Sequence, residues 1–129
     1  MKEYLNQLSN DIIGAAIEVH RELGPGLLEI SYELCLQHEL GLRGIRAERQ
    51  MKLPISYKEL AVPEAYRIDL LVEDSVIVEL KTVETLMPLH SAQLLTYLKM
   101  SGKHLGLLIN FQSIRLAEGI KRLVHQFPS

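Results

Sequence analysis

Apolar residues at helical spacing open the chain. Ile12, Ile13, Ala16, Ile17 and Leu23, with His20 on the same stripe, follow Ser9-Asn10-Asp11, whose side chains suit a helix start. Gly24-Pro25-Gly26 is expected to end that helix. The spacing predicts a second helix from about Leu28 to Leu40, with Tyr32, Cys35, Leu36 and Leu40 inward and Gly41 as its stop. After Gly44 the pattern turns extended, from Ile45 to Lys58, with Lys58-Glu59 as a turn before a second run from Ala65 to Val72. A strand follows over Val76 to Lys81. Helical spacing returns from Leu89 to Ser101 and closes at Gly102. The aliphatic run His104 to Asn110 reads as a buried strand, and Gly119 to Phe127 alternates as a half-exposed final one. Gly106 within the buried run is explained by close backbone packing. The order helix, helix, strands, helix, strand, strand predicts an α/β chain of α+β type, a mixed sheet flanked by helices. No repeat or linker interrupts it, so one domain over residues 1–129 is expected.

The two strands around Glu73-Asp74-Ser75 carry the most informative polar positions. Side chains alternate along a strand, so Asp69 and Leu71 are expected on one face and Ile68, Leu70 and Val72 on the other. In the partner run Ile77, Glu79 and Lys81 share a face, and Val76, Val78 and Leu80 the opposite one. A three-residue loop puts Asp69 directly across from Glu79 above a wholly aliphatic face, whereas a two-residue loop separates the acids. Like charges facing each other across a ladder destabilise it unless something neutralises them. A cation is the natural remedy.

Composition narrows the setting. The 129 residues are 47% hydrophobic, enough for a core. A net charge of -2 provides no global field toward phosphate, so any nucleic-acid contact must be local. The single cysteine, Cys35, rules out an intrachain disulfide and leaves the chain without a disulfide partner, which suits a reducing compartment. No apolar leader or membrane-length run is found, so a cytoplasmic, membrane-free protein is expected. The 5 histidines show no ligand spacing, and with one cysteine they do not suggest a zinc site. P-loop, nucleophile-elbow and dinucleotide motifs are absent.

The residue types at the acid pair suit a hard cation. Asp69, Glu79 and the Leu80 carbonyl form an oxygen set of the kind Mg²⁺ accepts while keeping several waters. Lys81 could position the attacking water or stabilise charge developing on a phosphoryl group. The bland reading, a cross-strand ion pair on a solvated face, carries similar weight on spacing alone. The aliphatic neighbours of Glu79 favour a central strand, where unpaired charge is seldom idle. Glu29, at the start of the second helix, is either a third acid of the site or a helix-stabilising carboxylate, and Glu33 competes with it on the same face. Gln93 and Tyr97 stack on one face of the later helix, with His90 and Met100 on the same stripe, and read either as site residues or as a polar flank. Arg67, Lys99, Lys103, Lys121 and Arg122 are individually weak candidates for phosphate contact.

These residues resemble the PD-(D/E)XK nuclease superfamily and, more narrowly, the GxxExxY proteins. The segments that carry the resemblance are Gly26-Leu27-Leu28-Glu29-Ile30-Ser31-Tyr32, Glu48-Arg49-Gln50, Tyr66-Arg67-Ile68-Asp69, Val78-Glu79-Leu80-Lys81, Gln93-Leu94-Leu95-Thr96-Tyr97, Gly106 to Phe111 and Gly119-Ile120-Lys121-Arg122. Ile68 stands where the superfamily's name has proline, a position that carries no ligand. The resemblance implies a restriction-endonuclease-like core, with Asp69 and Glu79 holding Mg²⁺ or Mn²⁺, Lys81 at the water, and Glu29, Gln93 and Tyr97 assisting. It implies nucleic acid as partner. A non-cleaving nuclease-fold module for nucleic acid or protein is the alternative, and a homodimer could pool two weakly basic surfaces.

Overall fold

The computed structural model describes residues 1–129. The elements run α1 Lys2–Leu23, α2 Glu29–Leu42, β1 Ala47–Tyr57, β2 Leu60–Val72, β3 Val76–Lys81, α3 Pro88–Ser101, β4 Leu105–Asn110 and β5 Ile120–Val124, the last preceded by a 3-10 turn over Leu116–Gly119. One sheet holds all strands in the order β1-β2-β3-β4-β5. Neighbours are antiparallel except β3 and β4, which run parallel with α3 as the crossover between them. This is the mixed, helix-flanked α+β sheet that the pattern predicts.

Burial on both faces explains the aliphatic character of β3 and β4. On one face α1 and α2 bury Leu5, Ile12, Ala16, Tyr32, Leu36 and Leu40 against Leu70, Val78, Leu80, Leu107 and Ile109. On the other, Leu94 and Leu98 of α3 seat on Ile68, Leu71, Ile77 and Leu108. Gly106 permits that seating, since a Cβ there would lie 2.9 Å from the Leu94 side chain. Gly102, at φ 73°, ends α3 as expected.

Three boundaries differ from the sequence reading. Helix α1 starts at Lys2 rather than at Ser9-Asn10-Asp11, because Leu5 and Leu8 continue the buried stripe toward the N-terminus. Core burial outweighs the local capping preference of those polar residues. Helix α2 passes through Gly41 to Leu42, and the chain turns instead at Gly44, φ 75°. Strand β2 begins at Leu60, well before Ala65, because it pairs with β1 from Tyr57↔Leu60 onward.

The loop Glu73-Asp74-Ser75 has three residues, as the pairs Val72↔Val76, Leu71↔Ile77 and Leu70↔Val78 require. The expected face for Ile68 is wrong. It packs with Leu71 and Ile77 beneath α3, not with Leu70 and Val72. The β1–β2 ladder skips Gln50 and Asp69 between the pairs Arg49↔Leu70 and Met51↔Ile68, and Gln50 adopts φ 55°. The register is the same on both sides, so no residue is inserted there, but the backbone turn at Gln50 changes the face that β1 presents. Arg49 accordingly reaches α2, whereas Met51 packs on the α3 side.

Candidate active site

The acids meet where the β2–β3 ladder ends. Beyond Leu70↔Val78 the two strands are joined through carboxylates. The Asp69 amide donates to Glu79 Oε2 at 2.7 Å, and the Leu80 amide donates to Asp69 Oδ2 at 2.9 Å. Each carboxylate thus uses one oxygen to hold the other's strand. The exchange fixes both acids on central backbone rather than on loops.

Their environment is charged and dry. Glu79 is only 4% exposed. Burial first, and the Asp69 carboxylate second, push its pKa from the ordinary 4.5 up to about 8, against the Asp69 amide and the Lys81 ammonium. Glu29, the first residue of α2, is raised in the same direction by burial and by Asp69, while Lys81 and the Thr82 amide pull it down. Tyr97 on α3 is raised by burial and then by Glu79 and Asp69, with Arg67 opposing. These mutual influences bring Asp69, Glu79, Lys81, Glu29 and Tyr97 into one electrostatic neighbourhood. Gln93 lies one turn before Tyr97 on α3 and is exposed.

Local structure explains how Glu29 gets there. Tyr32 is fully buried, stacks on Phe111 with centroids 4.5 Å apart, donates its hydroxyl to Gly24 O at 2.5 Å and accepts from the Leu27 amide at 3.1 Å. Gly26, at φ 106°, allows the intervening turn. The start of α2 is therefore tied to the end of β4. Asn110, paired with Lys81 across the parallel ladder, is 3% exposed and holds the segment after Lys81. Its side chain accepts from the Val83 amide at 3.1 Å and donates to Val83 O at 2.7 Å.

The competition between Glu29 and Glu33 has a structural answer. Glu33 is 3% exposed and is bound by Arg49 at 2.7 Å and by Gln50 Nε2 at 2.6 Å. It pins α2 to the irregular point of β1, while Glu29 is the acid of α2 whose titration Asp69 and Lys81 influence. Glu33 enters the sequence reading only as a competitor of Glu29, and neither its partners Arg49 and Gln50 nor Asn110 is among the residues expected at the site. The quoted Glu48-Arg49-Gln50 segment was the available signal for the first, and the register of Asn110 beside Lys81 for the second. Tyr66 was also missed, although it opens the segment ending in Asp69; it stacks on Tyr97.

The basic candidates scatter. Arg67 lines a recess with Tyr66 and Tyr97. Lys121 lines another with Glu84, Asn110 and Ser113 at the C-terminal end of β3 and β4. Lys103 is paired with Asp74 at 3.2 Å in the hairpin loop, at the opposite end of β3. Arg122 donates to Asn6 of α1 at 2.7 Å and lies over Phe127, on the helical face away from α3. Lys99 is exposed on α3 without a bond to the site.

No three His, Cys, Asp or Glu side chains form a cluster able to hold a metal ion. A cation here would depend on the two carboxylates, each with one oxygen not used by the backbone amides. Hard oxygens from a buried Glu79 and a half-buried Asp69 that repel each other suit a divalent ion. No helix is long and apolar enough to cross a membrane. A family model described as the PD-(D/E)XK nuclease superfamily matches residues 6–123. No curated protein and no solved structure matches the chain.

Proposed function

The chain belongs to the PD-(D/E)XK nuclease superfamily, and from that membership we propose that it is a Mg²⁺-dependent phosphodiesterase acting on DNA or RNA. The observation that carries the reading is the reciprocal bonding of Asp69 and Glu79. It holds the buried Glu79 carboxylate beside the half-buried Asp69 carboxylate, at a cost that a cation or a proton relieves. Asp69 and Glu79 would hold the ion, Mg²⁺ or Mn²⁺, which supplies Lewis acidity toward the phosphate and acidifies water. The narrower assignment to the GxxExxY proteins rests on Gly26, Glu29 and Tyr32 in their motif spacing.

The chain's own residues divide the remaining work. Lys81 orients the attacking water and offsets charge building on the phosphoryl oxygens. Glu29 shares the field of Asp69 and Lys81 and accepts a hydrogen bond from that water or steadies the ammonium. Gln93 and Tyr97 stand one helical turn apart on α3, where they can hold the scissile phosphate in place. The net charge of -2 favours the second reading, a module that binds nucleic acid or a protein partner without cutting.

The test is a cleavage assay on single-stranded, duplex and branched DNA and on RNA, with Mg²⁺ or Mn²⁺. Lys81→Ala and Asp69→Ala should each lower the rate at least about a hundredfold. Equal rates for parent and variants would overturn the enzyme.

A further inference from the structure

Tyr66 of β2 and Tyr97 of α3 stack with ring centroids 4.9 Å apart and planes 24° from parallel. Both pack against the cluster in which Leu94 and Leu98 are fully buried, yet both keep part of their surface exposed. The Tyr66 hydroxyl is buried without a hydrogen-bond partner, and the nearby Ser101 hydroxyl is committed to Leu98 O and the Lys103 amide. With its hydroxyl buried beside Ser101, the part of Tyr66 that stays exposed is ring.

Together with Lys52, Glu64 and Arg67, the pair lines an open recess. Arg67 makes no ion pair. Lys52 reaches only Glu64, at 3.6 Å, with both side chains more than half exposed. The recess adjoins the acids: Arg67 stands two residues before Asp69, and the Tyr97 phenol responds to both carboxylates. An aromatic wall with the unpaired Arg67 and a Lys52 held only by an exposed Glu64 suits a flat π-system carried on phosphates. In a duplex the base faces are stacked on each other and unavailable. A net charge of -2 also leaves little to grip a duplex by its phosphates alone.

We infer that Tyr66 and Tyr97 form a stacking platform for an unpaired nucleobase, next to the phosphodiester at Asp69 and Glu79, with Lys52 and Arg67 on the flanking phosphates. The substrate class is thereby single-stranded polynucleotide or a frayed end. The placement of the phosphodiester rests on the proposed function, whereas the platform is read by binding alone.

The experiment is fluorescence anisotropy in the Lys81→Ala background with Mg²⁺, so that strands stay intact. The probes are a short labelled single strand as DNA and as RNA, the same strands carrying abasic residues, and a blunt duplex. The intact strand should bind at least about tenfold more tightly than the abasic strand or the duplex, as one stacked base supplies. Tyr66→Leu should weaken the intact strand about tenfold and leave the abasic strand unchanged, with Tyr66→Phe restoring the parent affinity. The DNA and RNA arms decide which polymer supplies the base. Equal affinity for intact and abasic strands, preference for duplex, or no binding at all overturns the platform, and these outcomes need no aromatic variant to fold. A protein that cuts nothing yet binds in a base-dependent way sinks the nuclease reading and leaves the platform standing.

Discussion

Glu79 ties stability to pH in a direction opposite to that of most carboxylates. Its folded pKa, about 8, lies above the ordinary 4.5, so between those values the native state binds more protons than the unfolded state. Stability is fully present below about pH 4.5, falls as pH rises at up to about 1.4 kcal/mol per unit, and levels off above about 8. Glu79→Gln should remove that slope, so that the difference between parent and variant in urea midpoints shrinks toward low pH and favours the variant at high pH. A difference that is constant across the range would contradict the burial argument. If an ion binds the acids, Mg²⁺ should recover stability at high pH in the parent and not in the variant, following ligand concentration by mass action. At this scale the acids themselves were legible, because an odd-length loop places Asp69 across from Glu79. The choice between Glu29 and Glu33 was not, since it depends on Arg49 and Gln50 arriving from β1, a contact that no local pattern encodes.

Elements carry the strain of positioning those residues. Helix α2 is pinned by Glu33, whose buried carboxylate depends on Arg49. Arg49→Ala leaves that charge buried without its cation and should cost about 3 kcal/mol or more, measured by chemical denaturation. The double variant Glu33→Leu, Arg49→Met should recover most of the loss, since an apolar pair needs no compensation. Helix α3 is placed by Gly106: a Cβ would press on Leu94 at 2.9 Å, so Gly106→Ala should cost about 1–3 kcal/mol and displace the helix that carries Gln93 and Tyr97. Unchanged stability together with an unchanged Tyr97 environment by NMR would refute it. The sequence reading found all three helices and the order of the strands because their apolar spacing is set locally. It misplaced the start of α1 because Ser9-Asn10-Asp11 resembles a cap, and only the packing of Leu5 and Leu8 shows that the helix continues through it. It also misassigned the face of Ile68, because strict alternation cannot anticipate the irregularity at Gln50.

At the scale of the molecule, charge sets what a bound strand can do. Five of the 14 basic side chains are engaged in ion pairs elsewhere: Arg49 with Glu33, Arg43 with Glu39, Arg46 with Glu48, Lys103 with Asp74, and Arg21 with Glu18. Around the acids and the aromatic recess, Lys52, Arg67 and Lys81 are the cations that can meet phosphate. Neutralising about three phosphates of a single strand gives a slope of log affinity against log salt of about -2. That shallow slope is the expected result of titrating binding against KCl, and Arg67→Ala should flatten it by about 0.7. A slope near -5 would require basic surface that one copy does not offer at this site, and a second copy of the chain is the simplest source. In that case the slope should collapse to the shallow value on dilution below the dimer's dissociation constant, while a monomer keeps one slope at every protein concentration. Salt dependence measured at two protein concentrations therefore separates a monomer gripping one strand by stacking from a dimer gripping it by charge.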